Sequence, residues 1–153
     1  SCCCNPIGNG LLALKSCSRL VSLTFTLCGR IAPHALTELL TALAGLQRLC
    51  IYGALDRRAA DRDITEFYDR LSLTAPQLTH LSMGCEFSAT VSWDAVLATI
   101  SKCPRLTQLH LNGNSHFTSL APLAQCPVLT DLKVCDYLGL LETVAPLTSC
   151  PWL

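Results

Sequence analysis

The chain has 153 residues, half of them hydrophobic and only 14% charged, a composition that excludes an intrinsically disordered segment and demands a large apolar core. Eleven Lys and Arg balance eleven Asp and Glu, so the long-range pull toward phosphate that marks nucleic-acid and anionic-membrane binders is missing. No apolar run reaches the roughly 18 to 20 residues of a membrane span, because Glu38 interrupts the best candidate, and no basic segment followed by an apolar stretch marks a signal peptide.

In chain order, Cys2-Cys3-Cys4 comes first and reads as the strand end of an incomplete repeat, since the interval from Cys4 to Leu20 nearly matches that from Asn114 to Leu129. Leu11-Leu-Ala-Leu14 is the return of that repeat. Leu20-Val-Ser-Leu23-Thr-Phe25 then opens a full copy of the pattern L-x-x-L-x-Φ, in which Φ is apolar and the alternation of apolar and polar residues specifies a short strand with one buried face. A helix is predicted from Pro33 to Ala44, with Pro33 suited to its first turn. The second copy is Leu46-Gln-Arg-Leu49-Cys-Ile51. The run from Asp56 to Asp63 mixes both charge signs and reads as a solvated insertion. Asp63 is the expected cap of a helix from Ile64 to Leu73.

Leu78-Thr-His-Leu81-Ser-Met83 is the third copy, followed by a predicted helix from Trp93 to Ser101 capped by Ser92. The fourth and fifth copies are Leu106-Thr-Gln-Leu109-His-Leu111 and Leu129-Thr-Asp-Leu132-Lys-Val134. Their returns, Phe117 to Ala124 and Leu140 to Leu147, contain Pro122 and Pro146, so each is expected to hold a single turn or a 3₁₀ piece. Leu153 stands where a further copy would start.

The copies therefore open at Leu20, Leu46, Leu78, Leu106 and Leu129, and Leu153 continues the series at a similar interval. Five in-register copies spaced near the period of roughly 20 to 29 residues resemble leucine-rich repeats. The resemblance implies a right-handed α/β solenoid, a horseshoe segment with a parallel concave sheet and helical or irregular convex returns. Residues 1–153 are expected to form a single domain of about five full repeats starting near Leu20, Leu46, Leu78, Leu106 and Leu129, with partial repeats at both ends. Such a chain is a piece of a longer protein, with further repeats or domains on either side.

The junctions Cys17-Ser-Arg-Leu20, Cys103-Pro-Arg-Leu106, Cys126-Pro-Val-Leu129 and Cys150-Pro-Trp-Leu153 resemble the cysteine-containing repeats of F-box proteins. Cys28 matches the second cysteine of that pattern and Cys85 falls one place short of it. Leu43 and Ala75 replace the junction cysteine in two repeats, and Asn114 takes the second-cysteine place in the fourth. Ribonuclease-inhibitor-like repeats are also similar. The F-box resemblance implies substrate recognition for a ubiquitin ligase; a free-standing scaffold, inhibitor or sensor, and an accessory domain of a larger enzyme, are the alternatives. Cysteines that recur at one repeat position act as small buried hydrophobes. Together with the lack of any Asn-x-Ser/Thr sequon at Asn5, Asn9, Asn112 or Asn114, they point to a reducing, cytoplasmic setting.

Chemistry is sparse. Adjacent residues of the Cys2-Cys3-Cys4 run point apart, and no CxxC pair exists. His80 and His110 fall on neighbouring strands and read as solvated or partner-contacting rather than as metal ligands, and His34 and His116 lie in loops or at the starts of returns. No nucleophile signature and no phosphate loop occurs, so neither catalysis nor a cofactor nor a metal is expected. What remains is a face of outward strand positions: Ser22, Thr24, Thr26; Arg48, Cys50, Tyr52; His80, Ser82, Gly84; Gln108, His110, Asn112; Asp131, Lys133, Cys135. Curved arrays of this kind hold proteins or peptides. The candidate contact residues are Arg48, Tyr52, His80, Gln108, His110, Asn112, Asp131 and Lys133, with Arg48 and Tyr52 of the types that dominate interface energy.

Overall fold

The computed structural model describes residues 12–27, 33–54, 61–74, 76–86, 93–113, 118–136, 141–150 and 153. Each L-x-x-L-x-Φ copy supplies one strand: β1 (Ser22–Leu27), β2 (Arg48–Ala54), β3 (His80–Glu86), β4 (Gln108–Gly113) and β5 (Asp131–Asp136). They form a single five-stranded sheet in sequence order, and every neighbouring pair is parallel. The chain is therefore an α/β protein in which each strand is followed by a return to the start of the next.

The returns form a second layer. They comprise a 3₁₀ turn (Ala13–Ser16), α1 (Pro33–Ala42), α2 (Asp61–Thr74), α3 (Trp93–Ile100) and two further 3₁₀ turns (Ala121–Gln125 and Ala145–Ser149). Each packs on its predecessor: α1 on the first turn, α2 on α1, α3 on α2, then the Ala121–Gln125 turn on α3 and the Ala145–Ser149 turn on that. Pro122 and Pro146 lie in the first turn of their 3₁₀ segments, where a missing N–H costs nothing, and these returns do not lengthen into α-helix.

Two α-helix boundaries differ from the sequence reading by more than one residue. Helix α1 stops at Ala42, just before Leu43-Ala-Gly45 turns toward Leu46. Helix α2 begins at Asp61, so Asp63 lies inside the first turn instead of capping it. The capping role of Ser92, the Cys2-Cys3-Cys4 run, Cys28, Asn114, His116 and the run from Asp56 to Ala60 lie outside the described residues.

The core fills the space between sheet and returns. Leu49, Leu81 and Leu109 form one buried row across the central strands, and Ile51, Met83 and Leu111 form the next. The first leucines Leu46, Leu78, Leu106 and Leu129 are buried against Leu36, Leu39, Leu40, Leu71, Leu97, Ile100 and Leu123 from the returns. Phe67 and Tyr68 add an edge-to-face pair with centroids 5.0 Å apart, and the Tyr68 hydroxyl donates to Met83 Sδ at 3.5 Å. Burial falls off toward both edges: Leu20 and Phe25 at one, Leu132, Val134 and Leu147 at the other, are only partly covered. No helix among the described residues is long and apolar enough to cross a membrane.

A recurring hydrogen-bond device fixes neighbouring strands. The carbonyl of the residue after each first leucine accepts two successive backbone N–H groups from the next copy. Gln47 and Arg48 donate to Val21 at 2.8 and 3.0 Å, Thr79 and His80 to Gln47, Thr107 and Gln108 to Thr79, and Thr130 and Asp131 to Thr107, all at 2.9 to 3.0 Å. Where the residue is threonine its hydroxyl donates to the same carbonyl, at 3.1 Å from Thr79, 3.0 Å from Thr107 and 3.2 Å from Thr130.

Candidate functional site

Parallel pairing with period-two alternation decides which side chains stand on the sheet face away from the helices. The register gathers them into rows. Ser22, Arg48, His80, Gln108 and Asp131 make the first, and Thr24, Cys50, Ser82, His110 and Lys133 the second. In the third row Thr26, Tyr52 and Gly84 are partners, as are Asn112 and Cys135. All eight residues singled out from the sequence thus lie on one face. Arg48 and Lys133 are exposed; the other six are half-buried.

Four local contacts organise this face. In the third row the Tyr52 ring lies over Gly84, so that a Cβ at Gly84 would stand 2.7 Å from Tyr52 Cδ1. The Tyr52 hydroxyl reaches Ser82 Oγ at 3.1 Å, and Ser82 is buried although it points outward. His80 Nδ1 lies 2.7 Å from Thr79 Oγ1. His110 Nε2 stands 3.2 Å from Asp131 Oδ2, one strand away.

Electrostatically, His80 is the perturbed group. Burial, followed by the positive charges of Arg48 and His110, holds its imidazole below the ordinary value, and Asp131 acts in the opposite direction. Among the described residues, ion pairs elsewhere join Lys15 to Glu38 and Arg70 to Glu66 on the helical side, the first holding the Glu38 carboxyl below its usual range by hydrogen bond and charge. Two grooves, of about 450 and 480 Å³, lie off this face: one between Lys15, Glu38, Glu66 and Arg70, the other beside Gln77, Thr79 and Arg105 at the strand starts. The candidate site is the sheet face itself.

Two of the junction cysteines, Cys103 and Cys126, belong to the buried core. Cys103, Cys126 and Cys150 are buried free thiols, and Cys150 Sγ points at the Leu123 carbonyl at 3.7 Å. Burial raises the Cys103 and Cys126 thiols to about 11, and the neighbouring thiol of the next repeat adds to each shift. Cys17 is exposed, and Cys50 and Cys135 are half-buried on the sheet face. His34 sits in the first turn of α1 at the rim of the 450 Å³ groove, remote from the sheet face. Among the described residues no three His, Cys, Asp or Glu side chains are gathered so as to hold a metal ion.

The Tyr52–Gly84 stacking and the threonine bonds to the preceding carbonyl were not read from the sequence. A glycine at an outward strand position, opposite a tyrosine, was the available signal for the first. The recurrence of Leu-Thr at residues 78–79, 106–107 and 129–130 was the signal for the second. No protein-family model matches the chain, and no curated protein matches it.

Proposed function

We propose that the chain is a stretch of cysteine-containing leucine-rich-repeat solenoid whose concave sheet face binds a protein partner and which catalyses no reaction. One observation carries this reading. Five strands hold their polar alternates in rows on a single open face, while the inward alternates and the first leucines form an unbroken apolar stack behind them. Such a face offers a wide, chemically mixed surface. The buried thiols at successive Cys-Pro-x-Leu junctions support the cysteine-containing subtype, and thiols packed as small hydrophobes suit a reducing, cytoplasmic setting.

Within that reading the narrower assignment is substrate recognition for a ubiquitin ligase, supported by the junction motif. The test is affinity capture with the chain as bait beside an Arg48→Ala, Tyr52→Ala, His110→Ala variant. Discrete proteins bound by the wild type and lost from the variant are the expected result, with ligase core subunits among them if the narrower assignment holds. Identical material on both baits sinks the sheet-face reading.

A further inference from the structure

We propose that Arg48 and His80 form an anion seat on the sheet face, together holding one carboxylate from an acidic side chain of a protein partner; the inference rests on the protein-binding reading above. The two residues are register partners on β2 and β3, which sets their backbones about 4.8 Å apart, close enough for two side chains to converge on one carboxylate. Arg48 is exposed, and the ion pairs among the described residues join Lys15 to Glu38, Arg70 to Glu66 and His110 to Asp131, none of them involving Arg48. Asp131 is the only carboxylate in the three rows, and His110 holds it. Among the described residues the guanidinium therefore has no carboxylate paired with it on this face, and its planar fork matches that group.

The proton arrangement at His80 determines how the second donor arises. Thr79 has one hydroxyl proton, which it donates to the Gln47 carbonyl at 3.1 Å. The seat takes the tautomer in which the Thr79 oxygen accepts from His80 Nδ1 at 2.7 Å, with the ring proton on Nδ1 and Nε2 left for a partner. Nε2 becomes a donor only when the imidazole is protonated. In the free protein burial, Arg48 on β2 and His110 on β4 oppose that charge and Asp131 on β5 favours it. A docked carboxylate shifts the balance toward the imidazolium, so docking takes up a proton. The sign follows: the imidazole is held below its ordinary value in the free protein and raised in the complex. Affinity is greatest below the free value and declines as pH rises toward the bound one, by at most about tenfold per pH unit.

A random heptapeptide library displayed on phage and panned on the full chain at pH 6 is the probe. Recovered peptides should share an Asp or Glu at one position. Changing that acid to its amide, or Arg48→Gln in the protein, should weaken binding by about tenfold or more, the scale of a charge-assisted hydrogen bond. Wild type should bind more tightly at pH 5.5 than at 7.5, and His80→Gln should remove most of that dependence. Peptides without a shared acid, or with binding indifferent to Arg48→Gln, overturn the seat and leave the protein-binding reading standing. A pH dependence that survives His80→Gln overturns the role of the imidazole. Recovery of no peptide by the wild type overturns both readings. The acid-to-amide change in the peptide tests the seat even if a protein variant misfolds.

Discussion

Gly84→Ala offers a direct test of how the third row is built. The added methyl would sit 2.7 Å from Tyr52 Cδ1, closer than real Cβ atoms approach, whereas Asn112 Cβ at 3.8 Å is an ordinary neighbour. The ring must therefore swing away, and the 3.1 Å bond to Ser82 breaks with it. Losing that bond costs about 1 kcal/mol, and pushing the ring off its preferred rotamer costs about as much again. Against this, alanine narrows the unfolded ensemble relative to glycine and returns roughly 0.5 kcal/mol. The net expectation is a loss of about 1.5 kcal/mol. In a Tyr52→Ala background the clash and the bond are both gone, so the same substitution should be neutral or stabilising by about 0.5 kcal/mol. Urea unfolding followed by far-ultraviolet circular dichroism on the four proteins of this cycle gives the coupling directly. Equal cost in both backgrounds, within roughly 0.4 kcal/mol, would refute the stacking argument.

Four further outcomes follow from the fold. Leu109 is fully buried between Leu81 and Leu132, so Leu109→Ala should lower unfolding free energy by about 2 to 5 kcal/mol in the same assay; a cost below about 1 kcal/mol would contradict a packed inner row. Gly53 in β2 has φ 102°, where an L side chain is strained, so Gly53→Ala should cost about 1 to 2 kcal/mol, while an unchanged urea midpoint would show that the strand relaxes freely. With thiols raised to about 11, Cys103 and Cys126 are buried and almost wholly protonated at pH 8, so iodoacetamide should modify exposed Cys17 well before either, as read by peptide mass mapping. The same shift makes the unfolded chain, with thiols near 9, release protons first. Stability contributed by these thiols is therefore present below pH 9 and is lost between pH 9 and about 11, and a flat profile there would count against their burial.

The strands were legible because the pattern that marks them is the pattern that buries them. An alternation placing Leu49 and Ile51 inward must place Arg48, Cys50 and Tyr52 outward, so finding the core also found the face. The helix boundaries were less legible. Asp61 and Asp63 both suit a helix start, and the sequence offers no term that prefers one over the other. Contacts on the face were not legible at all. Whether Tyr52 projects or lies flat depends on the missing Cβ of Gly84 in the next copy, and whether His110 meets Asp131 depends on which rotamers reach across one strand.

Length variation among the copies shows where the chain tolerates change. The interval from Leu46 to Leu78 is the longest of the series and that from Leu106 to Leu129 the shortest. Yet β2 and β3 pair through seven consecutive partners and β4 and β5 through six, each in the same phase. The long interval carries the 14-residue α2 and the short one a five-residue 3₁₀ turn. The return layer absorbs the difference because each strand is fixed at its start by a first leucine in the core and by two N–H groups converging on the preceding carbonyl. A slip of one residue would turn the leucine row outward and the Arg48–His80 row inward, at a cost of several buried leucines, each roughly 1.5 to 3 kcal/mol. The inward residues thus fix the position of every outward one but place no demand on its chemistry, so the chemistry of this face can vary while the scaffold stays as it is.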